Sequence, residues 1–213
     1  MQPDYPARSK YDAAVAANYA STRFAPRVDL RERRIVTRLA ALCEPFETVL
    51  DAPCGTGRMT GLFPSRRVTA LDLSPAMLDH VRGMEGIEEF LQGDIERLPF
   101  PDDHFDLVIS VRFLHHLPDT QTLERCLTEL ARVARGHVLV SYFDTFALQN
   151  LRRRFKARRR ERPSHRLSRP WKVVAGIARR AGLEPVARRC SAPAISEQWF
   201  VLFRKTAQKP GPT

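Results

Sequence analysis

The sequence predicts an α/β protein in which helices cover a largely parallel sheet, and three observations predict it. An apolar run ends in Asp51 and passes straight into small residues with glycines at Gly55 and Gly57 (VLDAPCGTGRMT, 49–60). A second apolar run, 68–71, ends in Asp72, and a third element brings Gly93, Asp94 and Ile95. Acids thus stand at or near the ends of three successive strand candidates, about 20 residues apart, as expected when one ligand lies across the carboxyl edge of a parallel sheet.

Taken in order, residues 13–20 and 30–43 read as helices from their alanine and leucine content and spacing, with Ile35, Val36, Leu39 and Leu42 forming one stripe. Strands are expected at 48–51, 68–72, 89–92 and 107–111, with helices between them. The glycine turn should release backbone amides for a polar ligand and open the first of those helices. A helix over 123–134 then leads to a fifth strand at 137–143. After an arginine-rich segment come a helix over 171–181 closed by Gly182, and two last strands at 185–191 and 198–204. The closing AQKPGPT reads as a disordered tail.

A chain of 213 residues, 43% of them hydrophobic, suits one domain with a three-layer core. No stretch approaches 18 uninterrupted apolar residues, and MQPDYPARSK lacks the apolar core of a signal peptide, so a soluble cytoplasmic protein is expected. Cys43, Cys54, Cys126 and Cys190 form no CxxC pair, which points to reduced thiols and to neither a metal site nor a disulfide framework.

Charge is informative once it is located. Residues 1–150 hold 17 Lys and Arg against 21 Asp and Glu, a net of −4, whereas 151–213 hold 18 against 3, a net of +15. Residues 151–169 alone carry nine arginines and one lysine against Glu161, and Leu148, Leu151 and Phe155 trace a narrow apolar stripe at i, i+3 and i+7. This is a basic amphipathic helix, and three uses compete for it: a cover that neutralises an anionic substrate, a surface resting on acidic lipid head groups at the inner face of the membrane, and a grip on RNA phosphates. Aromatic interleaving for base stacking is sparse, with Phe155 and Trp171 alone, so nucleic acid is the less favoured partner.

The motifs LDAPCGTGR (50–58), ALDLSPAML (70–78), GDIERLPFPDDHFDLVIS (93–110), FLHHL (113–117) and ELARV (129–133) resemble those of class I S-adenosylmethionine-dependent methyltransferases, in particular the group that methylates small molecules. The resemblance runs motif by motif over 11–135 and more loosely to residue 204. It implies a Rossmann-like three-layer sandwich with a seven-stranded, mostly parallel sheet whose last strand is antiparallel. The single domain then divides into cofactor-covering helices (1–45), a cofactor-binding core (46–143), a basic substrate cover (144–170), a closing helix and strand pair (171–206) and the tail (207–213). Relatives often have a Pro-Gly-Gly turn before the fifth strand, and Arg135-Gly136-His137 departs from it, implying a tighter turn.

The cofactor so implied is S-adenosylmethionine, whose chemistry assigns surfaces to residues. Asp51, Ala52, Cys54 and the amides around Gly55 and Gly57 suit its amino acid end, and Asp72 can accept from both ribose hydroxyls. Leu73 and Met77 offer apolar contact to the adenine, Asp94 accepts from its amino group, and the Ile95 amide meets a ring nitrogen. Ser110 is placed against the methionine portion and Tyr19 over the site. His115 and His165 are the candidate catalytic residues, with Tyr142 and Asp144 the other groups able to take a proton. No NPPY-type sequence follows the fourth strand, which argues against the amino-methylating nucleic-acid enzymes. The resulting expectation is methyl transfer to a small or lipid-linked anionic acceptor at oxygen, with no metal. An RNA methyltransferase and a non-catalytic cofactor-binding partner subunit are the alternatives.

Overall fold

The computed structural model describes residues 26–146, 167–192 and 196–206. The helix expected at 13–20, Tyr19, most of the arginine-rich segment, His165 and the tail lie outside them. Helix α1 (Pro26–Ala40) starts four residues before the point the sequence suggested, because proline is at home in a first helical turn, where its missing N–H is not needed. A 3-10 turn, Ala41–Cys43, follows. Glu32, Val36, Leu39, Ala40 and Cys43 make the buried stripe, whereas Leu42 is 56% exposed. The sequence placed Leu42 on that stripe, but it falls off the register set by 36, 39, 40 and 43 and faces solvent.

Strands β1 (Thr48–Asp51), β2 (Arg67–Asp72), β3 (Ile87–Gln92), β4 (Phe105–Ser110), β5 (Ala134–Phe143), β6 (Leu183–Cys190) and β7 (Gln198–Lys205) form one sheet in the order β3-β2-β1-β4-β5-β7-β6. Pairings from β3 through β5 are parallel, and β7 is antiparallel to both β5 and β6. This is the mostly parallel, Rossmann-like sheet with an antiparallel last strand that the resemblance implied. The strand order turns back between β1 and β4, which opens a crevice at their carboxyl ends, where α/β sheets bind ligands.

Alternation along the strands builds two cores. Val138, Val140 and Tyr142 of β5 and Val201 and Phe203 of β7 face helices α3 (Thr120–Val133) and α4 (Trp171–Arg180). Leu139, Phe200 and Leu202 join α1 on the opposite face. Helix α3 buries Leu123, Cys126, Leu127, Leu130 and Ala131 at helical spacing and starts at Asp119, whose carboxylate accepts from the Thr122 amide at 2.6 Å. Removing one such leucine side chain typically destabilises a core by about 2–5 kcal/mol.

Two of the helices expected between strands do not form. Between β1 and β2 the chain makes only a 3-10 turn, Thr60–Leu62, because positive φ at Gly55 and Gly57 breaks the α-helical path and Pro64 follows. Between β3 and β4 there is a turn in which Asp94 bridges to Arg97, and Pro99 and Pro101 remove amides a helix would need. Helix α2 (Pro75–Val81) does connect β2 to β3, capped by Ser74. At Arg135-Gly136-His137, which departs from the family pattern, α3 passes directly into β5 at Ala134, three residues before the expected start at 137, with Arg135 paired to Asp106 at 2.7 Å.

Candidate functional site

The crevice is built from the ends of β1, β2, β3 and β4. Ala52 N donates to Ile109 O at 3.0 Å and Cys54 N to Leu71 O at 2.8 Å, so the turn after β1 is tied to both neighbouring strands. Gly55 and Gly57 then take φ of +55° and +77°. At Gly57 an added Cβ would also lie 2.6 Å from Met84 Sδ, whereas at Gly55 the space is open and the backbone angle alone calls for glycine. Gly55 N donates to Asp72 Oδ2 at 2.8 Å, and Ser74 N to Asp72 Oδ1 at 2.9 Å. Gly93 N donates to the Asp72 backbone carbonyl at 3.0 Å, which joins the end of β3 to the same residue.

Asp51 is 1% exposed and accepts from the Thr60 hydroxyl at 2.7 Å. Burial pushes its carboxyl up to about 7, the Asp72 charge adding to this while Thr60 and the Arg58 guanidinium oppose it. Burial likewise raises Asp72, against the amides of Ser74 and Gly55. Two acids buried in one crevice call for a cationic or hydroxyl-bearing ligand. Ser110, with no exposed surface, adds a hydroxyl oxygen that has no hydrogen-bond partner among the described residues. An ammonium group, a ribose diol and a polar atom near Ser110 would answer these needs, so the residues present fit S-adenosylmethionine.

Of the other expected cofactor residues, Met77 is buried in the first turn of α2 and Leu73 is half-buried beside it. Asp94 Oδ1 accepts from Glu96 N at 3.0 Å within its turn, and Ile95 is in the core. Cys54 is buried, which raises its thiol well above the ordinary range and makes it a poor nucleophile.

A charge network that sequence reasoning missed clamps α1 over this crevice. Glu32, 1% exposed, accepts from Arg58 Nη2 at 2.9 Å and from both Nε and Nη2 of Arg112, while Asp29 takes Arg58 Nη1 at 2.7 Å. Arg58 belongs to the glycine turn and Arg112 follows β4 at φ +64°, so one carboxylate holds both sides of the crevice. The signal was there: Glu32 stands four residues before Val36, an acid on the apolar stripe.

Beyond β4, Leu114–His116 is a single 3-10 turn. His115 is 2% exposed and stacks on Phe143 with ring centroids 3.9 Å apart, and the His116 ring is 4.1 Å from it. Tyr142 donates to Asp144 Oδ2 at 3.1 Å, and burial lifts its phenol well above the usual range. Asp144 also accepts from Arg188 Nη2 at 2.8 Å and from Phe146 N at 3.1 Å. Arg188 lies over Trp199, Trp171 and Tyr142, at 3.7, 4.7 and 5.8 Å from their ring centroids. Arg169, counted in the sequence as part of the basic run, is turned inward and donates to the carbonyls of Leu114, Leu117 and Asp119.

The chain is similar to known proteins in sequence and in fold. Residues 50–140 match the family described as Methyltransferase domain. The chain is 36% identical over 151 residues to a malonyl-[acyl-carrier protein] O-methyltransferase of Serratia marcescens, covering 68% of this chain and 52% of that protein. It is 33% identical over 136 residues to a tRNA (carboxymethyluridine(34)-5-O)-methyltransferase of Arabidopsis thaliana, covering 62% of this chain and 31% of that one. The chain spans about half the length of the Serratia protein. In fold it is similar to a magnesium protoporphyrin IX methyltransferase from Synechocystis solved with bound SAH, with a TM-score of 0.74, 14% identity, and coverage of 95% of this chain and 97% of that one.

Proposed function

Because residues 50–140 place this chain among the class I methyltransferases, we propose that it moves a methyl group from S-adenosylmethionine to a carboxylate oxygen of an anionic acceptor, small or lipid-linked. When bound, S-adenosylmethionine supplies a methyl group already activated by a sulfonium. Asp51 and the glycine turn hold the amino acid end, Asp72 the ribose, Asp94 and Ile95 the adenine edge, and Leu73 and Met77 its faces. Ser110 meets the methionine portion at the end of β4.

The observation that carries the acceptor reading is the state of the candidate proton acceptors among the described residues, His115, Tyr142 and Asp144. His115 is packed face to face on Phe143, the Tyr142 phenol is held protonated, and Asp144 is engaged by three donors, the Arg188 guanidinium among them. An acceptor that arrives as a carboxylate needs none of them, since its oxygen is already the nucleophile and the remaining task is alignment. The relatives support this: a malonyl group and a carboxymethyl group both carry a carboxyl, and both names specify O-methylation. The net charge of +15 over residues 151–213 favours an acidic acceptor.

The test is incubation with methyl-labelled S-adenosylmethionine and either a malonyl thioester, a small-acid fraction or total RNA. Label in the thioester or acid fraction that mild alkali releases as methanol supports a carboxyl ester. Alkali-stable label, at nitrogen or carbon, overturns it. The RNA reading is the second one, because the Arabidopsis relative is named for a tRNA substrate, and alkali-labile label confined to RNA would move the acceptor there.

A further inference from the structure

Apart from the crevice, a cleft of about 530 Å³ opens where the chain enters and leaves the 147–166 segment. Asp144, Phe146, Pro170, Trp171, Lys172, Arg188, Ser196 and Trp199 line it. We propose that this cleft is a distal subsite for an extended acceptor, holding an apolar body against Trp171, Trp199 and Phe146 and an anionic group at Arg188 and Lys172. The inference rests on the methyl-transfer reading above.

Three features specify the occupant. The walls are mostly aromatic and apolar, so they suit an apolar body. The charges are Arg188 and Lys172 against Asp144, one positive charge in excess, so they suit a monoanion. Arg188 is fixed in advance by Asp144 at 2.8 Å and by the Trp199 ring beneath it, yet its side chain keeps 25% of its surface exposed. A ligand anion would meet that exposed part of the guanidinium, with little ordering required of it. Strand register sets the reach. Ser110 pairs with Val140, and Asp144 lies four residues farther on, about 13 Å away at the rise of a strand. An acceptor gripped here while it reacts at the end of β4 must therefore be extended, with its anchoring anion separated from the methylated group by a chain of that length.

The chain's two tryptophans, Trp171 and Trp199, both line the cleft, so intrinsic fluorescence reports its occupancy directly. The probes are decanoate, decyl phosphate and uncharged decanol, titrated below their aggregation limits into the full chain, with S-adenosylmethionine binding measured by calorimetry on the same preparations. Saturable quenching by an anion at least tenfold tighter than by decanol is expected, and the stronger of the two anions tells carboxylate from phosphate. Arg188→Met should weaken that binding at least tenfold. Since Arg188 also braces Asp144, exposed Lys172→Met provides a second variant, expected to weaken it several-fold with cofactor binding unchanged. Equal binding of decanol and the anions, or wild-type affinity in both variants, overturns the subsite. Cofactor binding without anion binding removes the subsite and leaves the methyl-transfer reading standing. Anion binding with no cofactor binding removes the methyl-transfer reading instead.

Discussion

The Thr60 hydroxyl donates to the Asp51 carboxylate at 2.7 Å, closing the glycine turn over an acid that burial has pushed up to about 7. The native state therefore holds this proton more tightly than the unfolded chain, where the ordinary value is 3.8. Its contribution to stability is present below the unfolded value and is lost as pH rises through about 7. Cofactor affinity should run the other way, because an ammonium group pairs with the ionised acid. Calorimetry should find binding about tenfold weaker at pH 6 than at pH 8, with a proton released on binding at the lower pH. Thr60→Val removes a contact that lowers Asp51, so the transition should move to higher pH. A flat affinity profile would show that Asp51 does not face the amine.

Asp72 joins three strand ends through the amides of Gly55, Ser74 and Gly93, the last reaching its carbonyl. Asp72→Asn keeps the shape and removes the charge, leaving an NH2 opposed to one of two amide donors. Loss of charge-assisted hydrogen bonds is worth about 1.5–3 kcal/mol, so S-adenosylmethionine should bind about 10- to 100-fold more weakly, while circular dichroism stays native. Retained affinity would place the ribose elsewhere.

The glycine turn and its acids were legible because their information is local: a strand end, a small-residue turn and an acid lie within ten residues. The seven-stranded, mostly parallel sheet with its antiparallel last strand followed from the resemblance, and every strand expected from the sequence is present. The helices after β1 and β3 were expected from the alternation of strands and helices alone, and the breakers Gly55, Gly57, Pro64, Pro99 and Pro101 were given no weight against them. Tyr142 and Asp144 were singled out by residue type as possible bases, but only the fold shows them bonded to each other and to Arg188. The Arg188 cage draws on residues 142, 171, 188 and 199, which share no periodicity in the chain.

Glu32 neutralises two arginines in a site that is almost closed to solvent. Glu32→Gln leaves Arg112 without this charge partner and Arg58 with Asp29 of the pair it had. Breaking a buried ion pair by removing one side destabilises by about 3–5 kcal/mol, so urea denaturation should show a loss of that order. Arg58 and Arg112 hold opposite walls of the crevice, and cofactor affinity should fall as well. A variant with wild-type stability would mean that the two arginines are held by other groups.

His115 gives the sharpest test of how the acceptor is activated. Its ring lies nearly parallel to Phe143, at 8° and 3.9 Å, and its carbonyl accepts from Leu167 N at 2.8 Å. Phenylalanine preserves the shape and the stacking but cannot take a proton. If the acceptor brings its own carboxylate, His115→Phe should keep kcat within about threefold of wild type, because only packing changes and alignment supplies the rate. His115→Ala, which removes the ring from beside Phe143, should instead lower thermal stability and raise KM with a modest effect on kcat. A proton-accepting histidine contributes about 10²- to 10⁴-fold, so a loss of that size in His115→Phe at saturating acceptor would make His115 the base and point to a hydroxyl acceptor in place of a carboxylate.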